Sequence, residues 1–196
     1  MPSRIRRSFL PASATLLALL LLPAAGLGAA KPATRPEAAP PSLLVAPAGE
    51  PGERLTVSGT LVDDAGRPIA GAELHVYQTD AGGRYTPDKP MDEGHARLAG
   101  RLKTGADGRF ELRTIRPGGY AKPVVLAGVE RKIPAHIHID VRAAGHAERH
   151  FQLVFADDPR LAETYWADWV KKQRHPVLDA RRHQGAWTGT LVLRLE

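Results

Sequence analysis

His136-Ile137-His138, preceded by Pro134-Ala135 and followed by Ile139-Asp140-Val141, places two imidazoles two residues apart in a stretch that reads as a β-strand. Strand side chains alternate faces, so both rings point one way and Ile137 the other, which makes half of a metal site. Tyr85 in Gly82-Gly83-Arg84-Tyr85 and Tyr120 in Arg116-Pro117-Gly118-Gly119-Tyr120 are candidates for the other half. Imidazole suits zinc, copper, iron or nickel and does not choose among them. Phenolate does choose, because a tyrosine with a pKa of about 10 keeps its proton at neutral pH unless a strong Lewis acid compensates for its loss. Ferric iron is hard, highly charged and oxygen-seeking, so a set of two histidines and two tyrosines favours Fe(III) over zinc. Taken singly, each of these side chains also fits a packing or turn-flanking role.

The elements that must position these residues read as short strands. Leu55 to Val62 is β-rich and ends in the turn cluster Asp63-Asp64-Ala65-Gly66-Arg67-Pro68. Ala72 to Gln78 alternates in the strand manner. Gly100-Arg101-Leu102-Lys103 and Phe110 to Ile115, joined by Thr104-Gly105-Ala106-Asp107-Gly108-Arg109, read as a hairpin. Phe151 to Phe155 and Trp187 to Leu195 are further strands. One helix is expected over Pro159 to Arg174, with Leu161, Tyr165 and Trp169 as its apolar stripe. This pattern predicts an all-β fold: an antiparallel β-sandwich with one short helix near the C-terminus.

Residues 1–30 have the composition of an export leader. Arg4, Arg6 and Arg7 form a basic head, Leu16 to Leu22 is almost wholly apolar, and Gly28-Ala29-Ala30 offers a small-residue cleavage site. The apolar run is too short for a membrane span. Ile5-Arg6-Arg7-Ser8-Phe9-Leu10 resembles a twin-arginine signal. The chain is therefore expected to be exported, to the periplasm or beyond. Residues 31–52, rich in Pro and Ala, read as an unordered tether, and 53–196 as one domain. Half of the formal +6 charge sits on the three leader arginines, so no nucleic-acid partner is expected. The absence of cysteine excludes disulfides, zinc-thiolate sites, iron-sulfur clusters and thiol nucleophiles.

Four motifs in fixed order carry a family resemblance. Val57-x-Gly59-x-Leu61-x-Asp63-x-x-Gly66-x-Pro68-Ile69-x-x-Ala72, Val76-Tyr77-Gln78-Thr79-Asp80-x-x-Gly83-x-Tyr85, Asp107-Gly108-x-Phe110-x-x-x-Thr114-Ile115-x-Pro117-Gly118-x-Tyr120 and Pro134-Ala135-His136-Ile137-His138 together resemble the intradiol ring-cleavage dioxygenases. The resemblance implies that Tyr85, Tyr120, His136 and His138 hold a mononuclear non-haem Fe(III). It implies catechol and O2 as substrates, with the catechol chelating the metal as a dianion and displacing Tyr120. It also places Gln152 beside the substrate. Family members usually carry arginine directly before Pro-Ala-His-Ile-His, where this chain has Ile133. Arg131, on the same strand side as Ile133, or Arg84 is expected to replace that cation. Tyr77 stands where tryptophan is common.

Two other readings stay open at this level. The Gly59 to Ala72 motif also resembles carboxypeptidase-regulatory and transthyretin-like modules, which bind without catalysis. A third reading is a copper or iron sequestration site to which His146 or His150 contributes. The sequence leaves the choice of catechol and the state of assembly open.

Overall fold

The computed structural model describes residues 39–196. The leader-like segment 1–30 and residues 31–38 of the tether lie outside the described residues. Twelve strands follow in chain order: β1 Ser42–Leu44, β2 Arg54–Asp63, β3 Glu73–Gln78, β4 Leu98–Lys103, β5 Arg109–Ile115, β6 Val124–Leu126, β7 Val129–Arg131, β8 His136–Arg142, β9 Arg149–Phe155, β10 Val177–Leu178, β11 Arg181–His183 and β12 Ala186–Leu195. Among the described residues the single α-helix, α1, spans Thr164–Gln173 between β9 and β10.

Period-two burial forms the layers. β2 and β3 alternate buried and half-exposed residues nearly throughout, so each offers one apolar face. One sheet has the order β1-β5-β2-β12-β11 and the other β10-β9-β8-β3-β4, with β6 and β7 as a separate ribbon. Val57, Leu61, Phe110 and Leu112 of the first sheet and Leu74, Val76, Ile137, Ile139, Val141 and Leu153 of the second join one buried cluster. The all-β sandwich with a short C-terminal helix is as expected. Among the described residues, no helix is long and apolar enough to cross a membrane.

Four details differ from expectation. The domain begins before residue 53: β1 pairs parallel with β5, Val45 and Ala46 are buried, and the buried Glu50 carboxylate is gripped by both guanidinium nitrogens of Arg97 at 2.5 Å. The Pro and Ala content averaged over 31–52 hides the apolar run Leu43-Leu44-Val45 that docks on the sheet. Second, β4 and β5 are not a hairpin. β4 pairs with β3 in one sheet and β5 with β2 in the other, so residues 104–108 carry the chain across the sandwich. Thr104 makes this corner by accepting from Ala72 N and donating to Ile69 O. Third, β12 runs parallel to β2 over nine paired positions; parallel pairing needs a long crossover, which the intervening chain supplies. Fourth, the helical piece opens with a 3-10 turn at Pro159–Ala162, breaks at Glu163, and buries Trp166 in place of the expected Leu161-Tyr165-Trp169 stripe.

Candidate metal centre

β8 presents Ile137, Ile139 and Val141 to the core, each fully buried, and His136, His138 and Asp140 to the opposite face. Pairing fixes where they stand. His138 lies opposite Tyr77 on β3 and Gln152 on β9, and His136 lies opposite Val154. The Tyr77 ring stacks on the His138 imidazole with centroids 4.3 Å apart and planes 3° from parallel, which holds the imidazole flat.

The tyrosines arrive on loops, and glycine explains how. Tyr85 lies in the β3–β4 connection, where its backbone N donates to Pro90 O and its carbonyl accepts from Arg97 N. Tyr120 follows β5. Gly83 has φ +75° and any Cβ there would lie 1.9 Å from Gly119 O; a Cβ on Gly118 would lie 2.5 Å from Ala81 O. The two glycine pairs therefore let two backbones touch. Gly118 N donates to Asp80 O at 2.9 Å, and Thr79 Oγ1 donates to Gly118 O at 2.8 Å. Asp80 Oδ1 accepts from Gly82 N and Arg84 N, completing the first loop. The strand-entry segment before β8 joins as a third partner. Asp158 Oδ2 accepts from Ala135 N at 2.8 Å, and the Ile133 carbonyl lies against Gly119.

All four expected side chains meet. Tyr85 Oη lies 2.8 Å from His138 Nε2 and 2.9 Å from Tyr120 Oη, and His136 Nε2 lies 3.0 Å from His138 Nε2. Two bonds of about 2.0–2.1 Å made at right angles to one ion separate their donor atoms by about 2.9 Å. The spacing and the donor set thus fit a single hard transition metal. Among the described residues no group of three His, Asp or Glu side chains makes a metal site, so a metal held here needs the tyrosines.

Burial governs the protons. It pushes both phenols well above the ordinary tyrosine value; the Tyr85–Tyr120 hydrogen bond adds to this at Tyr85. Burial likewise pushes His136 and His138 far below the ordinary histidine value, and the His136 charge adds to this at His138. Both shifts favour the neutral imidazole, the form that ligates. The phenols ionise only if a cation of high charge compensates them. Pro134 O, which can only accept, lies 2.8 Å from His136 Nδ1, so that nitrogen carries the hydrogen and Nε2 faces the site with its lone pair.

The remaining expectations fare differently. Gln152 is the cross-strand neighbour of His138, at the margin of the site. Arg131 is engaged elsewhere: its guanidinium lies 4.0 Å over the Tyr165 ring and 3.7 Å from the Glu163 carboxylate. Strand alternation from Arg131 to Ile133 does not apply, because β7 ends at Arg131. Arg84 pairs with Asp80. His146 lies near Glu196 O, whereas His150 reaches His138. Two residues escaped the sequence reading. Tyr120 Oη donates to Glu93 Oε1 at 2.7 Å, and Arg160, held by Asp158, comes within 3.1 Å of where a Gly119 Cβ would stand. Glu93 opens a short 3-10 turn, Glu93–His95, in the β3–β4 connection, a stretch with no periodic sequence pattern. Arg160 had one signal, its place directly after the capping pair Asp158-Pro159.

Known proteins bear on these alternatives. A family model described as dioxygenase (Dioxygenase_C) matches residues 34–187. Chlorocatechol 1,2-dioxygenase of Rhodococcus opacus is 34% identical over 130 residues, covering 62% of this chain and 51% of that protein. The protocatechuate 3,4-dioxygenase beta chain of Burkholderia cepacia is 36% identical over 124 residues, covering 58% and 50%. This chain thus spans about half the length of the curated relatives it matches. Among solved structures, the dioxygenase domain of a dioxygenase carbohydrate-binding protein fusion from Streptomyces sp. SirexAA-E aligns with a TM-score of 0.62 at 29% identity, covering 80% of this chain and 88% of that one. Catechol 1,2-dioxygenase from Acinetobacter sp. ADP1 shares the fold with a TM-score of 0.64, at 24% identity and 79% and 56% coverage. A family match over most of the chain decides among the readings left open above: this chain belongs to the intradiol ring-cleavage dioxygenases.

Proposed function

We propose that the chain is a non-haem Fe(III) dioxygenase that cleaves a catechol-type ring between its two hydroxyl-bearing carbons. The observation that carries this reading is the convergence of Tyr85 Oη, Tyr120 Oη, His136 Nε2 and His138 Nε2 within 3.0 Å of their neighbours. These four atoms would hold ferric iron, which when bound would supply the Lewis acidity that lowers the pKa of the substrate hydroxyls and withdraws electron density from them. Both atoms of O2 enter a cis,cis-muconic acid product, so the reaction needs no other reductant.

The protein's own groups then have distinct tasks. His136 and His138, neutral and buried, stay in place throughout because β8 holds them. Tyr120 is the ligand able to leave, because Glu93 already accepts its hydroxyl hydrogen 2.7 Å away. If a catechol displaced Tyr120, the phenolate would take up a proton released by the catechol, and Glu93 would accept the hydrogen bond of the restored hydroxyl. Gln152, beside His138, offers an amide donor to a substrate oxygen. Arg160 replaces Arg131 as the assigned cation, since it lies against the backbone of Gly119, next to Tyr120, while Arg131 is spent on Tyr165.

The test is a visible spectrum of the iron-replete protein before and after anaerobic catechol, followed by admission of O2. Tyrosinate-to-Fe(III) charge transfer is expected to make the protein burgundy, catechol to shift the band to longer wavelength, and O2 to yield a muconic acid. A colourless protein that does not change with catechol overturns the reading. Arg160→Ala should raise KM for the catechol while leaving the colour intact. Export rests on the leader-like composition of residues 1–30. Fractionation of the native host should find the mature chain outside the cytoplasm, and a full-length cytoplasmic chain would refute export alone.

A further inference from the structure

His138 differs from His136 in what holds its second nitrogen. His136 leans on a backbone carbonyl. His138 Nδ1 instead lies 3.3 Å from His150 Nε2, on the neighbouring strand, and His150 Nδ1 lies 2.5 Å from Asp140 Oδ1. The other Asp140 oxygen lies 3.3 Å from His75 Nδ1. These groups share one face of the sheet because β3, β8 and β9 pair His75 with Asp140 and Asp140 with His150.

The direction of the hydrogen bonds follows from what each group can do. A carboxylate only accepts, so the His150 Nδ1 that faces Asp140 carries the hydrogen. In a neutral imidazole the other nitrogen is then an acceptor, so His150 Nε2 presents its lone pair to His138. The amide nitrogen of Gln152, which only donates, also lies within 3.5 Å of that His150 nitrogen. His138 must therefore carry its hydrogen on Nδ1, and its Nε2 lone pair faces Tyr85 Oη and the centre. Metal-ligating histidines are usually fixed in this way by one carboxylate or carbonyl. Here a second histidine stands between the ligand and the carboxylate.

We infer that Asp140 and His150 are positioning residues for the metal centre, setting through a carboxylate–imidazole–imidazole chain which nitrogen of His138 faces the metal. This rests on the proposed iron site but concerns residues that touch neither iron nor substrate. Asp140 acts from two side chains away, and its second oxygen is steadied by His75.

The test is iron retention under a chelator challenge, read by the decay of the charge-transfer band and by metal analysis. His150→Leu removes the acceptor for His138 Nδ1–H and should speed iron loss by about 10–100-fold, the usual range for such partners. Asp140→Leu should give a smaller loss in the same direction, and the double variant should lose no more than His150→Leu alone, since both act on one chain. His150→Gln, whose Oε1 accepts the same hydrogen, should recover most of the retention. His150 is 44% exposed, so these substitutions leave the core intact. His150→Leu holding iron as tightly as the parent chain, with an unchanged band, overturns the inference while the iron site stands. Additive losses in the double variant would overturn the chain as a single path. A parent chain that binds no iron overturns the proposed function itself.

Discussion

His138 is paired on both sides by strands, whereas Tyr85 and Tyr120 hang from two loops whose closest approach runs through glycines. On the histidine side, the ladders to β3 and β9 each run over six paired positions, and the reverse face of β8 is locked into the core by Ile137, Ile139 and Val141. No single contact there decides the geometry. On the tyrosine side, the approach of Gly83 to Gly119 and of Gly118 to Ala81 decides almost everything. The contrast teaches that a half-site built on sheet register is over-determined, while one built on loop contact depends on a few backbone atoms. On the proposed function, the contrast puts His136 and His138 on the rigid half and Tyr120, the ligand proposed to leave, on the adjustable one.

The largest effect is expected from the ligands themselves. Tyr85→Phe and His138→Ala each remove a donor atom and should abolish stable iron binding and colour; either variant retaining full iron would undo the assignment. Next comes the loop contact. Gly83→Ala combines an unfavourable left-handed φ with a Cβ driven into Gly119 O. It should strip most of the iron while far-ultraviolet circular dichroism still reports a folded sandwich. A Gly83→Ala protein with parental iron content would mean that the loops need no such contact.

The rigid half should respond in the opposite sense. Ile139→Ala opens a cavity behind β8 and should cost about 2–5 kcal/mol of stability in denaturant melts. Its folded fraction should nevertheless keep the parental charge-transfer band, and a shifted band would show that the register is less redundant than it looks. The smallest effect concerns Glu50. The Arg97 guanidinium holds its carboxyl below the ordinary value of 4.5. A depressed folded pKa contributes stability above the unfolded value, and that contribution is lost as pH falls through the folded one. Glu50→Gln should therefore lower Tm at pH 7 and narrow the drop in Tm between pH 7 and pH 3. An unchanged acid profile would remove Glu50 from the account.

What could be read from the chain follows the same division. Strands of both sheets alternate in the residue pattern itself, so β2, β3, β5, β8 and β9 were legible to within a residue or two. The β4–β5 hairpin misled because Asp107-Gly108 makes a sound local turn, and nothing local says that the flanking strands belong to different sheets. The docking of Ser42–Leu44 was hidden for a related reason: three residues carry too little pattern to stand out from a Pro- and Ala-rich background. Trp166 rather than Tyr165 and Trp169 faces the core because the break at Glu163 resets the helical phase.

The sequence by itself determined the all-β class and the common face of His136 and His138, because a period of two needs no knowledge of partners. Through the order of four motifs it also named the four side chains that the structure brings together, Tyr85, Tyr120, His136 and His138. Tertiary structure alone decided that the two tyrosine loops meet, that Arg131 is spent on Tyr165 while Arg160 reaches Gly119, that Glu93 takes the Tyr120 hydrogen, and that Asp140 reaches His138 through His150. Each of these joins residues from different strands or loops through side-chain direction and backbone clearance, and neither quantity is written in the spacing of residues along one chain.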